Sequence, residues 1–506
     1  MVYDFFCNCF QLDVRSLSAS RIAMSFVILY DIFERARFTS FFYSNKGILP
    51  IYTLYDEKYM LNKISLLTEP KLGNIWPYIF FGIGVIFTLT FMLGWYTRLS
   101  NFILWIVVLS YNNRNPLINT AGDSYLRIYL FWSMFLPMGV KWSIDKQPVP
   151  NNLISNGSTF AFKFSLMISY VCAAIEKMNN SWNWSTGNAV ETLMHSQWFI
   201  PHYISKVFLA YPSICKFLSY STIYYELVGT FLLFHPNEAI QILSSILFIS
   251  FHLGLASTMN LGIFPYVCMA YWISTFPSIV WPLFKPKIAQ KQKIVTHKFS
   301  AFFVLFVIIP LHIARLPQFN ITTLNIQWQL IRLTGLSCRW NMFAPEPFYG
   351  DGWFRMPSIL KNGTQIDLIP FITESGENIH ELWATDEEKL SWEKYLPEID
   401  VKKLNSSEGY VKSMFYNYSH IKMLSRIPPS RYSPLHYRWS KYLLEFKALK
   451  KDRFTTHGLT FGRSICFHFK HIELKHFRIV FMSEFYDFKN KTILDIEPKI
   501  IWRHFC

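Results

Sequence analysis

Charged and titratable side chains at the ends of long apolar segments are the residues of this chain whose types could do chemistry. There are eight of them: Asp31, Arg114, Asp123, Arg127, Glu176, Lys177, Glu226 and His252. When the apolar segments are threaded back and forth through a bilayer, all eight fall on the same side. Because a charge in or beside hydrocarbon is costly, such groups are candidates for a functional site. The pattern therefore predicts a pocket at one membrane face.

Lys177 is the candidate general base. It ends an apolar segment, and Tyr170, Ala173 and Ala174 precede it on the same helix face. A lysine in a partly desolvated place has its neutral amine favoured, so it can accept a proton near neutral pH. The alternative interpretation is a lysine that extends to the membrane interface and anchors the end of its helix.

His252 is the second candidate catalytic residue, and it closes another apolar segment. An imidazole there can relay protons or donate a hydrogen bond to a quinone or carbonyl oxygen. The alternative is a histidine that is bonded to a backbone carbonyl at a helix end.

Four further residues are candidates for binding a substrate: Arg114, Asp123, Arg127 and Glu226. The two arginines could clamp an anion such as a carboxylate. Alternatively, one of them pairs with Asp123 and holds the turn between two apolar segments. Glu226 lies inside an apolar segment, where a carboxylate without a partner would be protonated.

The elements that position these residues are predicted to be membrane helices. Hydrophobic residues make up 51% of the 506 positions and charged residues only 16%, whereas soluble domains carry about 25% charged residues. A spanning helix needs about 20 mainly apolar residues. Nine segments qualify, several of them short: Leu17–Phe33, Ile75–Leu93, Leu99–Tyr111, Tyr125–Val140, Phe160–Ile175, Ile223–Phe234, Ala239–His252, Ile263–Phe284 and Phe299–Ala314.

The composition turns charged and proline-rich from Arg315 onward. We therefore predict an all-α polytopic membrane domain of about nine helices over residues 1–314, followed by a small α+β extramembrane domain over residues 315–506. Three local patterns support the mixed class of the tail: a hairpin-like turn at Lys361-Asn362-Gly363, a helical period over Arg438–Lys450 and a short strand over Phe477–Met482.

Charge distribution predicts the orientation. Lysines cluster in the loop that contains Lys285, Lys287, Lys291, Lys293 and Lys298, and positively charged loops favour the cytoplasm. The opposite side then receives the candidate site and the C-terminal domain, which is predicted to be lumenal, periplasmic or extracellular.

Two covalent features follow from that orientation. Disulfides among Cys338, Cys466 and Cys506 are expected only if the tail faces an oxidising compartment. Asn-X-Ser/Thr triplets also fall on the site side, and they matter only in a host with a secretory pathway. They are at Asn179, Asn183, Asn320 and Asn362.

Several function classes are excluded by missing motifs. The net charge of +16 reflects basic flanks of membrane segments, and no recognised nucleic-acid motif occurs. The eight cysteines show no metal spacing, so no metal is predicted. Phosphate-binding loops, nucleophile elbows and zinc-protease pairs are also absent. Membrane lipid is the one partner that composition itself implies.

An ordered set of short motifs resembles the horizontally transferred transmembrane (HTTM) family, which includes the vitamin K-dependent gamma-carboxylases. The matching stretches run to about Pro347. They are Leu17-Ser-Ala-Ser-Arg-Ile with Asp31, Tyr43-Ser-Asn-Lys-Gly-Ile-Leu-Pro, Gly94-Trp-Tyr-Thr-Arg-Leu-Ser, Arg114-Asn-Pro with Gly122-Asp-Ser-Tyr-Leu-Arg, Ala173-Ala-Ile-Glu-Lys-Met and Phe251-His. The tail, with Trp340-Asn-Met-Phe-Ala-Pro-Glu-Pro, resembles those of mostly uncharacterised bacterial-type members.

The resemblance implies a role for Lys177. In the carboxylases, a lysine at this place is regarded as the base that deprotonates vitamin K hydroquinone. Reaction of the deprotonated hydroquinone with oxygen then gives a strong base. This base removes the γ-proton of a peptide glutamate, and carbon dioxide adds to the resulting carbanion. Two departures stand out: Asp123 occupies the place of a carboxylase histidine, and the tail is shorter than the carboxylase's substrate-binding region.

The resulting hypothesis is a quinol-dependent oxygenase or carboxylase-like enzyme with Lys177 as base and His252 assisting. Its cofactor would be reduced vitamin K or another quinol, and its substrate a protein or peptide. The alternative is a non-enzymatic lipid- or quinone-binding membrane protein, or a partner of an export or immunity system. Transport is disfavoured because the polar residues cluster at one end of the segments instead of at mid-membrane.

Overall fold

The computed structural model describes residues 9–56, 64–68, 73, 75–145, 152–179, 181–194, 202–281, 306, 309, 325–336, 340, 342–347, 351–369, 372, 436–487 and 492–506. Within these residues the chain is mostly helical, with sixteen α-helices and seven strands.

The first 281 residues form a bundle of helices. Its helices are α1 (Val14–Arg37), α2 (Thr39–Phe42), α3 (Ile51–Asp56), α4 (Trp76–Leu93), α5 (Thr97–Arg114), α6 (Ala121–Ser133), α7 (Gly157–Met178), α8 (Trp182–Thr186), α9 (Ala189–Met194), α10 (His202–Leu209), α11 (Pro212–Tyr224), α12 (Glu238–Thr258) and α13 (Phe264–Ile273). Strands β1 (Leu12–Asp13) and β2 (Leu153–Ile154) pair beside the first turn of α1.

Four of these helices are long and apolar enough to cross a membrane by length and composition: α1, α4, α7 and α12. The predicted count of about nine is not matched. The predicted segment Ile223–Phe234 is divided, because α11 ends at Tyr224 and a π-helical turn and a 3-10 turn follow it. Helix α13 has only 10 residues. The ninth predicted segment, Phe299–Ala314, falls almost entirely outside the described residues.

The two ends of the bundle are defined by contacts between its helices. At the far end, the Ser16 hydroxyl donates to the Phe276 carbonyl over 2.6 Å. There too, Lys163 Nζ donates to the carbonyls of Cys9 and Leu233 over 3.0 and 3.4 Å. The site end is the opposite one, formed by the last turns of α1, α5 and α7 and the first turn of α6.

The C-terminal part is mixed, as predicted. It contains α14 (Asn325–Leu333), β3 (Asp351–Arg355), β4 (Pro357–Leu360), β5 (Gln365–Asp367), α15 (Tyr437–Ala448), α16 (Lys451–His468), β6 (Leu474–Asp487) and β7 (Thr492–Phe505). Strand β6 is central in an antiparallel sheet and pairs with β3, β4 and β7, while β5 pairs with β4.

Sequence patterns in the tail correspond to observed elements. The Lys361–Gly363 turn joins β4 to β5, helix α15 covers most of Arg438–Lys450, and β6 extends beyond Phe477–Met482 in both directions. Among the three cysteines considered for a disulfide, Cys466 at the end of α16 is bonded to Cys506 after β7.

The tail packs directly on the site end of the bundle. The Trp439 ring lies 5.3 Å from the Phe41 ring and 4.7 Å from the Phe42 ring. Nearby, His468 stacks on Phe41 at 4.1 Å. Helix α16 adds a hydrogen bond of 3.1 Å from the Thr460 hydroxyl to the Ile48 carbonyl. Most of the buried hydrophobic side chains of the bundle and of the tail form one continuous core, and two smaller clusters lie around α8–α11.

Two largely buried histidines of the C-terminal part, His436 beside the bundle and His476 within the sheet, make the fold sensitive to acid. Burial lowers the pKa of His436 to about 4, although the bonded Glu34 carboxylate at 2.5 Å raises it. Burial and the Arg478 and Lys475 charges lower the pKa of His476 to about 4. An unfolded histidine has a pKa of about 6.5, so between these values the unfolded chain binds more protons than the folded one. Stability is therefore complete above about pH 6.5 and is lost as the pH falls toward 4.

We predict that the unfolding temperature of the full chain in detergent drops between pH 7 and pH 4.5. A His436→Gln/His476→Gln variant should show a flatter dependence over this range, because neither site can take up a proton. The matched control is His471→Gln at an exposed position of the same domain, which should keep the wild-type slope. Equal slopes for all three proteins would contradict the assignment to these two histidines.

Candidate functional site

Lys177 and Glu226 form a buried ion pair at the site end. Lys177 Nζ lies 2.7 Å from Oε1 and 2.5 Å from Oε2 of Glu226. The side chains of Lys177 and Glu226 are only 3% and 6% exposed. The Lys177 ammonium also lies 5.1 Å from the centroid of the Trp184 ring, within the range of a cation–π contact. We call these three residues the lysine cluster.

Local structure explains how the pair is brought together. Helix α7 is capped by Asn156, whose side chain accepts from the Ser158 and Thr159 amides, and it ends one residue after Lys177. A cation in the last turn is favoured by the helix dipole. Glu226 belongs to the π-helical turn Tyr225–Gly229, and such turns occur frequently at functional sites.

A segment of the tail closes the lysine cluster from outside the bundle. The Trp184 indole N–H donates to the Phe343 carbonyl over 2.8 Å. Glu346 accepts from the Asn183 side chain over 3.0 Å and from the Trp182 amide at the start of α8. This segment belongs to the motif that carries the family resemblance of the tail, and its contact with the surroundings of Lys177 was not predicted from the sequence.

His252 belongs to a second group of buried polar residues, the histidine cluster, which consists of His252, Tyr170 and Trp272. His252 Nε2 lies 2.6 Å from the Tyr170 hydroxyl, which also accepts from the Trp272 indole over 3.0 Å. Cys268 contacts the same hydroxyl. The other ring nitrogen of His252, Nδ1, is buried and has no hydrogen-bond partner in the described part of the chain.

The two clusters share one face of α7. Tyr170 precedes Lys177 by seven residues, which corresponds to two helical turns and roughly 10 Å along the axis. Between them lie Ala173 and Ala174, both fully buried. Tyr225, next to Glu226, completes the connection: its ring is 5.5 Å from Phe251, which is itself 5.3 Å from the His252 ring.

Tyr225 is a residue that the sequence did not single out. Its hydroxyl is buried and, across the described residues, has no hydrogen-bond partner. Its position as the first residue of the π-helical turn could not have been anticipated, because that turn has no sequence signature of its own.

Asp123 and Asp31 belong to a third group, the arginine network, together with Arg35 and Arg438. All four side chains are fully buried. Arg35 Nε donates to Asp31 over 2.9 Å and Nη2 donates to Asp123. Arg438, from the tail, donates to Asp31 and, over 3.3 Å, to Asp123. Asp123 also accepts from the Thr120 amide over 2.6 Å.

The two other candidate arginines hold loops. Arg114 donates to the carbonyls of Leu49 and Ser44 over 2.7 and 3.2 Å. Arg127 donates to the Gly335 carbonyl over 2.9 Å. The arginine partners of Asp123 are therefore Arg35 and Arg438 instead of the two neighbours in sequence that we considered. Glu176 is buried beside Lys177 in sequence, and the carboxylate that contacts the lysine is that of Glu226.

The helices and buried charges define a class, that of multi-pass membrane proteins. The family model of the HTTM domain matches residues 11–281, more than half of the chain, and the protein belongs to the HTTM family. No curated protein and no solved structure matches the chain.

We predict that Arg438→Met destabilises the whole protein, because it leaves two buried carboxylates with one arginine. Removing one partner of a buried ion pair costs about 3–5 kcal/mol. The control is Arg503→Met at an exposed position of β7. Surface substitutions usually change the free energy of unfolding by no more than about 0.5 kcal/mol. Unfolding in detergent, followed by tryptophan fluorescence, measures both. Equal stability of the two variants would show that the network does not hold the tail in place.

Proposed function

We propose that this protein binds a quinol at the site end and removes a proton from it, as a quinol-dependent oxygenase or carboxylase-like enzyme. The observation that carries the proposal is the buried Lys177–Glu226 pair beside the Trp184 ring. Lys177 occupies the position at which the resemblance to the carboxylases implies a base.

The carboxylate changes how Lys177 would act. In a low-dielectric site, charged groups tend to neutralise when their solvation is lost. One proton passing from Lys177 to Glu226 converts the ion pair into a neutral amine beside a carboxylic acid. The amine can then accept a proton from a ligand hydroxyl, which leaves the pair with one net positive charge. That charge would stabilise a negative ligand oxygen beside it.

The surrounding residues fit a flat ring with oxygen atoms. Ala173 and Ala174 are small side chains that allow a close approach to α7, and the Trp184 ring lies beside the Lys177 ammonium. Tyr225 Oη and His252 Nδ1 are buried polar atoms without partners in the residues described. An unsatisfied buried polar group costs about 1–3 kcal/mol, so a ligand oxygen bonded to either atom would be stabilised. Reduced vitamin K, or another quinol, would supply an ionisable hydroxyl and the electrons for reaction with oxygen.

The proton transfer is better supported than a subsequent carboxylation of a peptide. Asp123 stands where the carboxylases carry a histidine, and both of its oxygens are engaged by Arg35 and Arg438. A carboxylate held in this way has no free position for acid–base chemistry. The protein or peptide substrate that the resemblance implies would need other groups for that step.

A second candidate function is non-enzymatic binding of a quinone or lipid. Both oxygens of Glu226 already contact Lys177, so the ion pair can have a purely structural role that requires no proton transfer. In this case the pair would only join α7 to the π-helical turn, and the unpartnered Tyr225 and His252 atoms would bind ligand without proton transfer.

A paired substitution distinguishes the two candidates. We predict that Lys177→Met/Glu226→Gln, which removes both charges together and leaves neither one unpaired, lowers quinol consumption by about 10²–10⁴-fold, the usual contribution of a general base. Oxygen uptake by purified protein in lipid nanodiscs measures the rate, and quenching of tryptophan fluorescence measures quinone binding.

The control is Lys141→Met, at an exposed position of the far end, which should keep the wild-type rate. Unchanged consumption in the double variant would remove Lys177 from the reaction. Quinone binding without consumption in the wild-type protein would favour the non-enzymatic function.

A further inference from the structure

The β4–β5 hairpin presents an asparagine on the surface of the C-terminal domain. Residues Lys361, Asn362, Gly363 and Thr364 are all exposed. The Leu360 amide donates a hydrogen bond of 2.9 Å to the Thr364 carbonyl across the turn. Gly363 has φ +87°, and no atom lies within 4 Å of the place where a Cβ would stand. The space around the tip of the hairpin is therefore open.

The conformation of this turn suits an N-glycosylation acceptor. Asn362-Gly363-Thr364 is an Asn-X-Thr triplet, the acceptor motif for N-linked oligosaccharides. The Asn362 Oδ1 accepts from the Thr364 amide over 2.9 Å, which places the threonine beside the asparagine side chain. This bond engages Oδ1 and not Nδ2, the atom that is glycosylated, and Asn362 as a whole is exposed.

Other triplets with a described asparagine are engaged in the fold. Asn156 caps α7, and it lies at the far end. The Asn179 Nδ2 atom is buried. Asn183 is fully buried, donates to Glu346 and accepts from Thr192 over 3.1 Å. Glycosylation at any of these three positions would have to disrupt a cap or a buried contact.

A second observation concerns the side of the membrane. The Cys466–Cys506 disulfide lies in the same sheet region as the hairpin. Cys506 directly follows β7, β7 pairs with β6, and β6 pairs with strand β4 of the hairpin. Disulfides persist in oxidising compartments such as the secretory lumen and the cell exterior. N-glycosylation takes place on that same side.

We infer that Asn362 is an N-glycosylation site on the non-cytoplasmic face of this protein. The donor is an oligosaccharide that is linked through pyrophosphate to a lipid. A bond forms between Asn362 Nδ2 and the anomeric carbon of the sugar, and Nδ2 loses one proton. The bond between that carbon and the pyrophosphate oxygen breaks, and the lipid pyrophosphate leaves with the electron pair. The inference does not depend on the proposed function.

The test is site mapping on the full chain expressed in a eukaryotic cell line. The purified membrane protein is treated with peptide N-glycosidase in heavy-oxygen water, which converts a glycosylated asparagine into labelled aspartate that mass spectrometry locates. We expect the label at Asn362 and not at Asn156. Thr364→Ala should abolish the label at Asn362, and the matched Thr364→Ser variant, which keeps the acceptor motif, should retain it.

Each alternative result overturns the inference. Label at other triplets of the tail but not at Asn362 would show that this hairpin is not an acceptor. Label at Asn156 with none in the tail would show that the protein has the opposite orientation in the membrane. A chain without any label would exclude glycosylation altogether.

Discussion

The arginine network is the interaction on which the rest of the structure depends. Two carboxylates and two guanidinium groups, all without solvent exposure, come from α1, α6 and α15. Taking any one of them out of water alone would be very costly, and the network is stable only when every member is paired. The Tyr111 hydroxyl, 2.7 Å from Asp31, satisfies a further lone pair. Since Arg438 lies in the tail, the bundle cannot satisfy its own charges without the C-terminal part of the chain.

The lysine cluster also has contacts with the tail. A second part of the tail also contacts the bundle: the Trp340 ring lies 4.4 Å from Tyr125 in the first turns of α6. Farther along, Phe343 and Glu346 hold Trp184 and the start of α8. The Trp184 ring in turn covers Lys177. The tail therefore contacts both groups of buried charges, the arginine network through Arg438 and the residues around Lys177 through Phe343 and Glu346.

Whether a feature could be predicted from the sequence depended on how far apart along the chain the interacting residues are. The apolar segments, the Lys361–Gly363 turn and helix α15 depend on neighbours in the chain, and local pattern was sufficient for them. The pair of Asp31 and Arg35 is separated by four residues on one helix, so it could have been read from spacing. Lys177 and Glu226 were each recognised as charges at segment ends, but their contact spans 49 residues and depends on a π-helical turn. Arg438, 407 residues from Asp31, had no signal at all.

The contrast between the three groups of buried polar residues separates scaffold from site. Every acidic oxygen in the arginine network has a donor, and Arg114 and Arg127 end on backbone carbonyls, so a ligand could gain access only by breaking existing bonds. Within the described residues, the Nε atoms of Arg21, Arg114 and Arg438 also lack partners, but the other nitrogens of these side chains are hydrogen-bonded. Tyr225 has only one polar atom, and that atom has no partner within the described residues. It and His252 lie against the same Phe251 ring. Tyr225 Oη and His252 Nδ1 are two of several buried polar atoms without partners in the described residues. Their common contact with Phe251 is what makes this side of α7 the place at which the proposed ligand would bind.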